Sequence, residues 1–126
     1  MKATFLVSGY ENSSSNYQYA VFHHRTSGAF ENLYGTGQAQ MNTTSSQIHA
    51  LTGNSNGTLF IFNANISDEF TFITNETVQW AGSGQVSGDN GGNVFRVATA
   101  INGIKFFIAS SHNIDSGKFS LYGLKK

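Results

Sequence analysis

TLFIFNANISDEFTFITNETVQWA, residues 58–81, is the stretch on which the fold turns. Its apolar residues are mostly β-branched or aromatic. They come in short runs, broken by Asn, Ser and Asp. FTFIT at 70–74 puts Phe70 and Phe72 on one side, with the Thr residues also spaced by two, which is the period of a strand. TLFIFN at 58–63 is apolar on both sides, as expected of a central strand covered on each face. TVQWA at 77–81 reads as a third strand, with Glu76 between it and the second. A helix would need apolar residues at i, i+3, i+4 and i+7, and no window of the chain supplies them.

Working outward, comparable runs lie at 4–7, 17–24, 30–34, 47–51, 93–100, 104–110 and 118–124. Between them stand SGYENSSSN, GTG at 35–37, TGNSNG, GSGQVSGDNGGN and SSHNIDSG. Strands about 8–12 residues apart with turn residues between them define an all-β chain. The expectation is one domain, 1–126, folded as an antiparallel β-sandwich of jelly-roll-like type. Within 17–24, Tyr17, Tyr19, Val21 and His23 oppose Gln18, Ala20, Phe22 and His24. In KFSLYGL, Phe119 and Leu121 are expected inward, Ser120 and Tyr122 outward. Asn102–Gly103 fits either a two-residue hairpin or a plain lead into the strand from 104. Several strands are apolar on both sides, and so small a chain has little interior in which to hide them. Self-association is therefore expected.

Composition narrows the function classes. Of 126 residues, 11% are charged, seven basic against seven acidic, and there is no Cys. Ser, Thr and Asn number 39, alongside 11 Phe and no Pro. Balanced charge leaves no electrostatic footprint for nucleic acid or an anionic membrane surface. No apolar run approaches the roughly 20 residues of a membrane-spanning helix. Nothing points to a cofactor.

Chemistry-bearing residues are sparse. His23 and His24 are adjacent, so on a strand they face opposite ways and cannot share a metal. A site joining His23, His49 and His112 has no ligand spacing to support it. Glycoside hydrolysis needs two carboxylates facing each other across a cleft. Glu31 with Glu76 is a conceivable pair that nothing singles out. SGDNGGN at 87–93 offers Asp89, Asn90 and Asn93 as oxygen donors but lacks the order of a calcium loop, so it reads as a turn. Trp80 has the apolar face that stacks on a sugar ring, yet its setting between Val78 and Ala81 reads as core. Tyr34, beside GTG, and Asp89 and Asn90, in the Gly/Ser-rich loop, are the candidate glycan contacts.

The C-terminal third carries a further pattern. Ala100, Ile101, Gly103, Ile104, Lys105 and Phe106 form AIxGIKF. Ile114, Ser116, Gly117, Phe119, Leu121, Tyr122, Gly123, Leu124 and Lys125 form xIxSGxFxLYGLK. This ending resembles the C-terminal domain of bacteriophage tail fibres and related virion appendages, over roughly residues 56–126. Residues 1–55 match loosely, with HHRTSGAFENLYGTG where that family tends to carry a Gly-rich turn. The resemblance implies a non-enzymatic virion structural protein of tail-fibre, appendage or capsid-decoration type. It further implies a homotrimer in contact with other virion proteins, taking part in attachment to a host-surface glycan. A carbohydrate-binding module or lectin is the alternative, and a polysaccharide-degrading enzyme ranks third.

Overall fold

The computed structural model describes residues 1–44, 54–81, 84–108 and 114–124. Among them there is no helix, and the strands form two antiparallel sheets. In chain order they are β1 (Lys2–Val7), β2 (Tyr10–Asn12), β3 (Tyr17–Arg25), β4 (Phe30–Gln38), β5 (Met41–Asn42), β6 (Ser55–Phe62), β7 (Thr71–Ala81), β8 (Gln85–Phe95) and β9 (Gly103–Phe107). The larger sheet runs β4-β3-β8-β7-β6. In the smaller one β9 pairs with β1 along Lys2–Leu6, so β2 and β5 share the other edge of β1. The chain is an all-β sandwich.

The core joins the two sheets at one end. Ala3 and Phe5 of β1 and Met41 of β5 pack with Tyr17, Ile73 and Phe95 of the larger sheet. The Phe5 ring lies 5.6 Å from Phe95 at 64°, and Tyr17 lies 4.9 Å from Phe95. Each ring removed from water contributes about 1.5–3 kcal/mol. Tyr17 also carries the one polar tip in this cluster. Its hydroxyl donates to the Asn12 carbonyl and accepts from the Phe5 N–H, each at 2.9 Å. Strand β3 is thereby fixed to the β1–β2 hairpin. That hairpin turns at Ser8–Gly9, with φ of 52° and 82°, and Val7 pairs with Tyr10 across it. Two consecutive positive φ values suit the right-handed twist of the flanking strands.

The local expectations fare unevenly. Residues 71–74 and 77–81 belong to one strand, β7, with Glu76 in its interior and Phe70 just before it. GTG at 35–37 is not a turn. It lies within β4, where the pairing register slips between Tyr17 and Tyr19, and Gly37 takes a φ of 60°. A glycine supplies that bulge geometry without steric cost. β6 is an edge strand, not a central one: Leu59 and Ile61 pack on the core while Phe60 and Phe62 are half exposed. The strand expected over 93–100 ends at Phe95. Asn102–Gly103 is the lead into β9, its Asn102 N–H bonded to the Leu6 carbonyl and its side chain accepting from the Gly9 N–H. Residues 118–124 form no strand, and Phe119 and Leu121 are exposed instead of inward. The strand expected at 47–51 lies outside the described residues.

The largest departure is β8. Residues 82–93, which read as a Gly-rich break, contain most of the middle strand of the larger sheet. It pairs along its whole length with β7 and over nine residues with β3. A Cβ at Gly91 would lie 2.3 Å from the Ala20 carbonyl oxygen and 2.6 Å from the Val21 Cα. At Gly92 the nearest atom would be 3.5 Å away, an ordinary contact. The backbones of β3 and β8 thus approach at Gly91 as only glycine allows.

Two outcomes are expected. Gly91→Ala forces β3 from β8 and lowers unfolding free energy in urea by about 2 kcal/mol or more, whereas Gly92→Ala stays close to the parent. Tyr17→Phe strands the Phe5 N–H and the Asn12 carbonyl, costing about 1–3 kcal/mol. Burial pushes the Tyr17 hydroxyl up to about 12, helped by Glu11 and opposed by the Phe5 hydrogen bond. The folded state keeps this proton longer than the unfolded chain. Its contribution is complete below pH 10 and is lost as pH rises through 12. Urea midpoints measured between these pH values should fall for the parent and flatten for Tyr17→Phe.

Candidate functional site

The two faces of the larger sheet follow from strict alternation. In β7 the core side takes Thr71, Ile73, Asn75, Thr77 and Gln79, and the outer side takes Phe72, Thr74, Glu76, Val78 and Trp80. In β8 the corresponding sets are Ser87, Asp89, Gly91, Asn93 and Phe95 against Val86, Gly88, Asn90, Gly92 and Val94. In β3 they are Tyr17, Val21 and His23 against Ala20, Phe22 and His24.

Beyond the aromatic cluster the core side is polar. His23 and Asp89, 1% and 3% exposed, meet Nδ1 to Oδ1 at 2.6 Å. Arg25 Nε donates to His23 Nε2 at 2.8 Å, so His23 carries its proton on Nδ1 and donates it to Asp89. Arg25 Nη2 reaches Glu31 at 3.0 Å, and Thr77 donates to the other Asp89 oxygen at 3.3 Å. One step along, Asn93 Nδ2 donates to Asn75 Oδ1 at 3.1 Å, and Asn93 Oδ1 accepts from the Asn42 N–H at 3.0 Å. Asn75 Nδ2 reaches the Thr43 carbonyl at 3.4 Å. These Asn side chains bond the larger sheet to β5 of the smaller one.

The outer side carries what the core side displaced. Phe22, Phe30, Tyr34, Phe60, Phe62 and Phe72 are all half to mostly exposed, and so are Val78 and Trp80. Register sets them in rows. Phe60, Thr74, Gly92, Ala20 and Tyr34 lie across the sheet in one row, and Thr58, Glu76, Asn90, Phe22 and Asn32 in the next. In the first row small residues fill the middle strands and rings stand at the two ends; in the second the ring is Phe22 of β3, beside Asn90. A shallow, wide-open groove of about 470 Å³ runs over Gly88, bordered among others by His24, Asn56, Thr58, Glu76, Val78 and Asn90. His24 is braced edge-on against Phe30, 5.2 Å and 87°. The arrangement offers aromatic planes beside uncharged donors and acceptors and one carboxylate.

The three sequence candidates separate. Tyr34 and Asn90 share the outer face, and Asn90 lines the groove. Asp89 is corrected in one respect: it sits on strand β8, not in a loop, with its side chain buried and bonded to His23 and Thr77, while the residue still borders the groove beside Asn90. Trp80 is also corrected, from core to the outer face, 45% exposed and opposite Val86. Glu76, His24 and Phe60 were not singled out. Unbroken alternation from Phe72 to Trp80 would have revealed Glu76 and Trp80 together, but Asn75–Glu76 reads as a gap. His23 and His24 do face opposite ways. Glu31 and Glu76 lie on opposite faces of the sheet and cannot act on one bond. No group of three metal-binding side chains occurs among the described residues; His49 and His112 lie outside them.

No family model, curated protein or solved structure matches the chain.

Neighbouring substitutions should separate the two faces. Asp89→Ala removes the buried acceptor of the His23 Nδ1–H and the Thr77 hydroxyl and is expected to cost about 1–3 kcal/mol in urea unfolding. Asn90→Ala, one residue on, should change stability by less than about 0.5 kcal/mol.

Proposed function

We propose that the protein is a non-enzymatic virion component of tail-appendage or capsid-decoration type. It self-associates as a trimer, packs against other virion proteins and meets a host-surface glycan on the outer face of its larger sheet. The observation that carries the glycan part is the groove over Gly88, with Glu76, Asn90 and His24 beside a field of exposed rings. A sugar presents an apolar ring face and a rim of hydroxyls. Trp80, Phe22 and Tyr34 supply planes for the first, and Asn, Thr and carboxylate oxygens supply partners for the second. The virion setting is supported by the resemblance of residues 100–125 to phage appendage endings.

Glu76 narrows the ligand class. An acidic sugar would bring its carboxylate against that of Glu76, so the groove suits neutral or amino sugars. A lectin-type module acting apart from any particle is the second reading, favoured by the same groove.

A protein census of purified particles tests the setting, with absence from the particle contradicting it. Glycan-array binding and calorimetry test the groove. Trp80→Ala and Asn90→Ala should each weaken a neutral oligosaccharide by about tenfold, equivalent to about 1.4 kcal/mol. Equal binding by parent and both variants, or a preference for acidic glycans, would contradict it.

A further inference from the structure

Residues 114–124 follow β9 but add no strand to either sheet. The segment is held at Phe119, whose ring stacks on Phe106 of β9 at 4.9 Å and 21°. Beyond that contact Leu121, Tyr122 and Leu124 are 86–95% exposed. Its sequence nevertheless alternates as a strand does, Phe119 and Leu121 on one side, Ser120, Tyr122 and Leu124 on the other. Both sides carry apolar residues, and among the described residues only Phe119 is partly covered, by Phe106.

The sheet edges differ in how well they are protected. β2 is three residues long and carries Glu11. β9 has five residues, with Lys105 held by Glu11. β4 carries Glu31 and the bulge at its Gly35–Gly37 end. β6 has none of these safeguards. It is eight residues long, without charge or proline, and its outward edge pairs with no strand among the described residues. Such an edge is a template for another strand. Its side chains alternate between Leu59 and Ile61, packed on the core, and Phe60 and Phe62, half exposed. An added strand with apolar side chains on both sides fits it and extends both surfaces.

We propose that residues 118–124 of one copy pair with the exposed edge of β6 in a second copy. The occupant follows from what the chain itself presents: a two-sided apolar segment without a sheet, and a two-sided apolar edge without a strand. Donor and acceptor are different surfaces, because the segment leaves from β9 of the smaller sheet and β6 borders the larger one. The contact is therefore head-to-tail, and it closes into a ring when the rotation between copies permits. This rests on the self-association in the functional reading and supplies its contact; the added strand lies beside the groove, which β6 borders through Asn56 and Thr58.

The full chain has no cysteine, so introduced thiols are unambiguous. A tagged Thr58→Cys chain and a differently tagged Ser120→Cys chain, co-expressed and treated with a short bismaleimide, should link Thr58→Cys to Ser120→Cys across copies. Links only between like chains, or none, would overturn the pairing. Light scattering gives the second reading. The parent should run as a closed oligomer, and Leu121→Asp with Leu124→Asp should run as a monomer with an unchanged far-ultraviolet spectrum. A monomeric parent, or a folded double variant of parental mass, would overturn it. Trp80→Ala should keep the parental mass, so loss of glycan binding and loss of assembly are read independently.

Discussion

The hydrogen bond between His23 and Asp89, with the Asn75–Asn93–Asn42 bonds beside it, is the constraint on which the rest of the sheet depends. These groups are almost fully buried, and each would cost free energy if left unpaired. They are paired only in one register. A slip of one residue would turn Glu76 and Asn90 inward without partners and bring His23 and Asp89 to the surface. The polar ladder therefore specifies alignment, while the Phe5–Tyr17–Phe95 cluster supplies the apolar burial that holds the two sheets together. It also dictates the outer face. Positions 75, 77 and 79 are polar and point inward, so positions 72, 78 and 80 of the same strand put Phe, Val and Trp outside.

That inversion marks where the sequence was legible. The all-β class and the antiparallel sandwich could be read from the spacing of Phe, Ile, Val and Thr runs. So could the opposite facing of His23 and His24, because alternation is a local property. β8 could not be read. Its inner positions Asp89 and Asn93 are polar because their partners lie on β3, β7 and β5, distant in sequence. Its outer positions include Gly88 and Gly92. Nothing within 85–93 has the composition of a strand, and only the paired neighbours make it one. The same cause misplaced Asp89 as a loop residue and split β7 at Asn75–Glu76. Tyr34 and Asn90 were visible as polar-tipped residues beside glycines, but the surface they share is a product of cross-strand register.

The exposed rings raise a question of coverage that composition already posed. A chain with 11% charge and a half-polar interior has few charged residues with which to cover its outside. Among the described residues the apolar side chains gather chiefly in three places: the core cluster, the outer face of the larger sheet and the 118–124 segment. The first is buried within the chain. The second surrounds the groove proposed as the glycan site, and the third is the segment proposed to pair with the edge of β6.

The central claim is that a Gly- and Asn-rich stretch forms the middle strand of the larger sheet because its inner side chains close a buried polar ladder. Hydrogen exchange on the intact chain, resolved to residues 85–95, tests it most directly. The account predicts that amides from Ser87 to Asn93 exchange only through global unfolding, as slowly as those of β3 and β7. Exchange of this segment on the timescale of exposed loops, with β3 and β7 still protected, would contradict it.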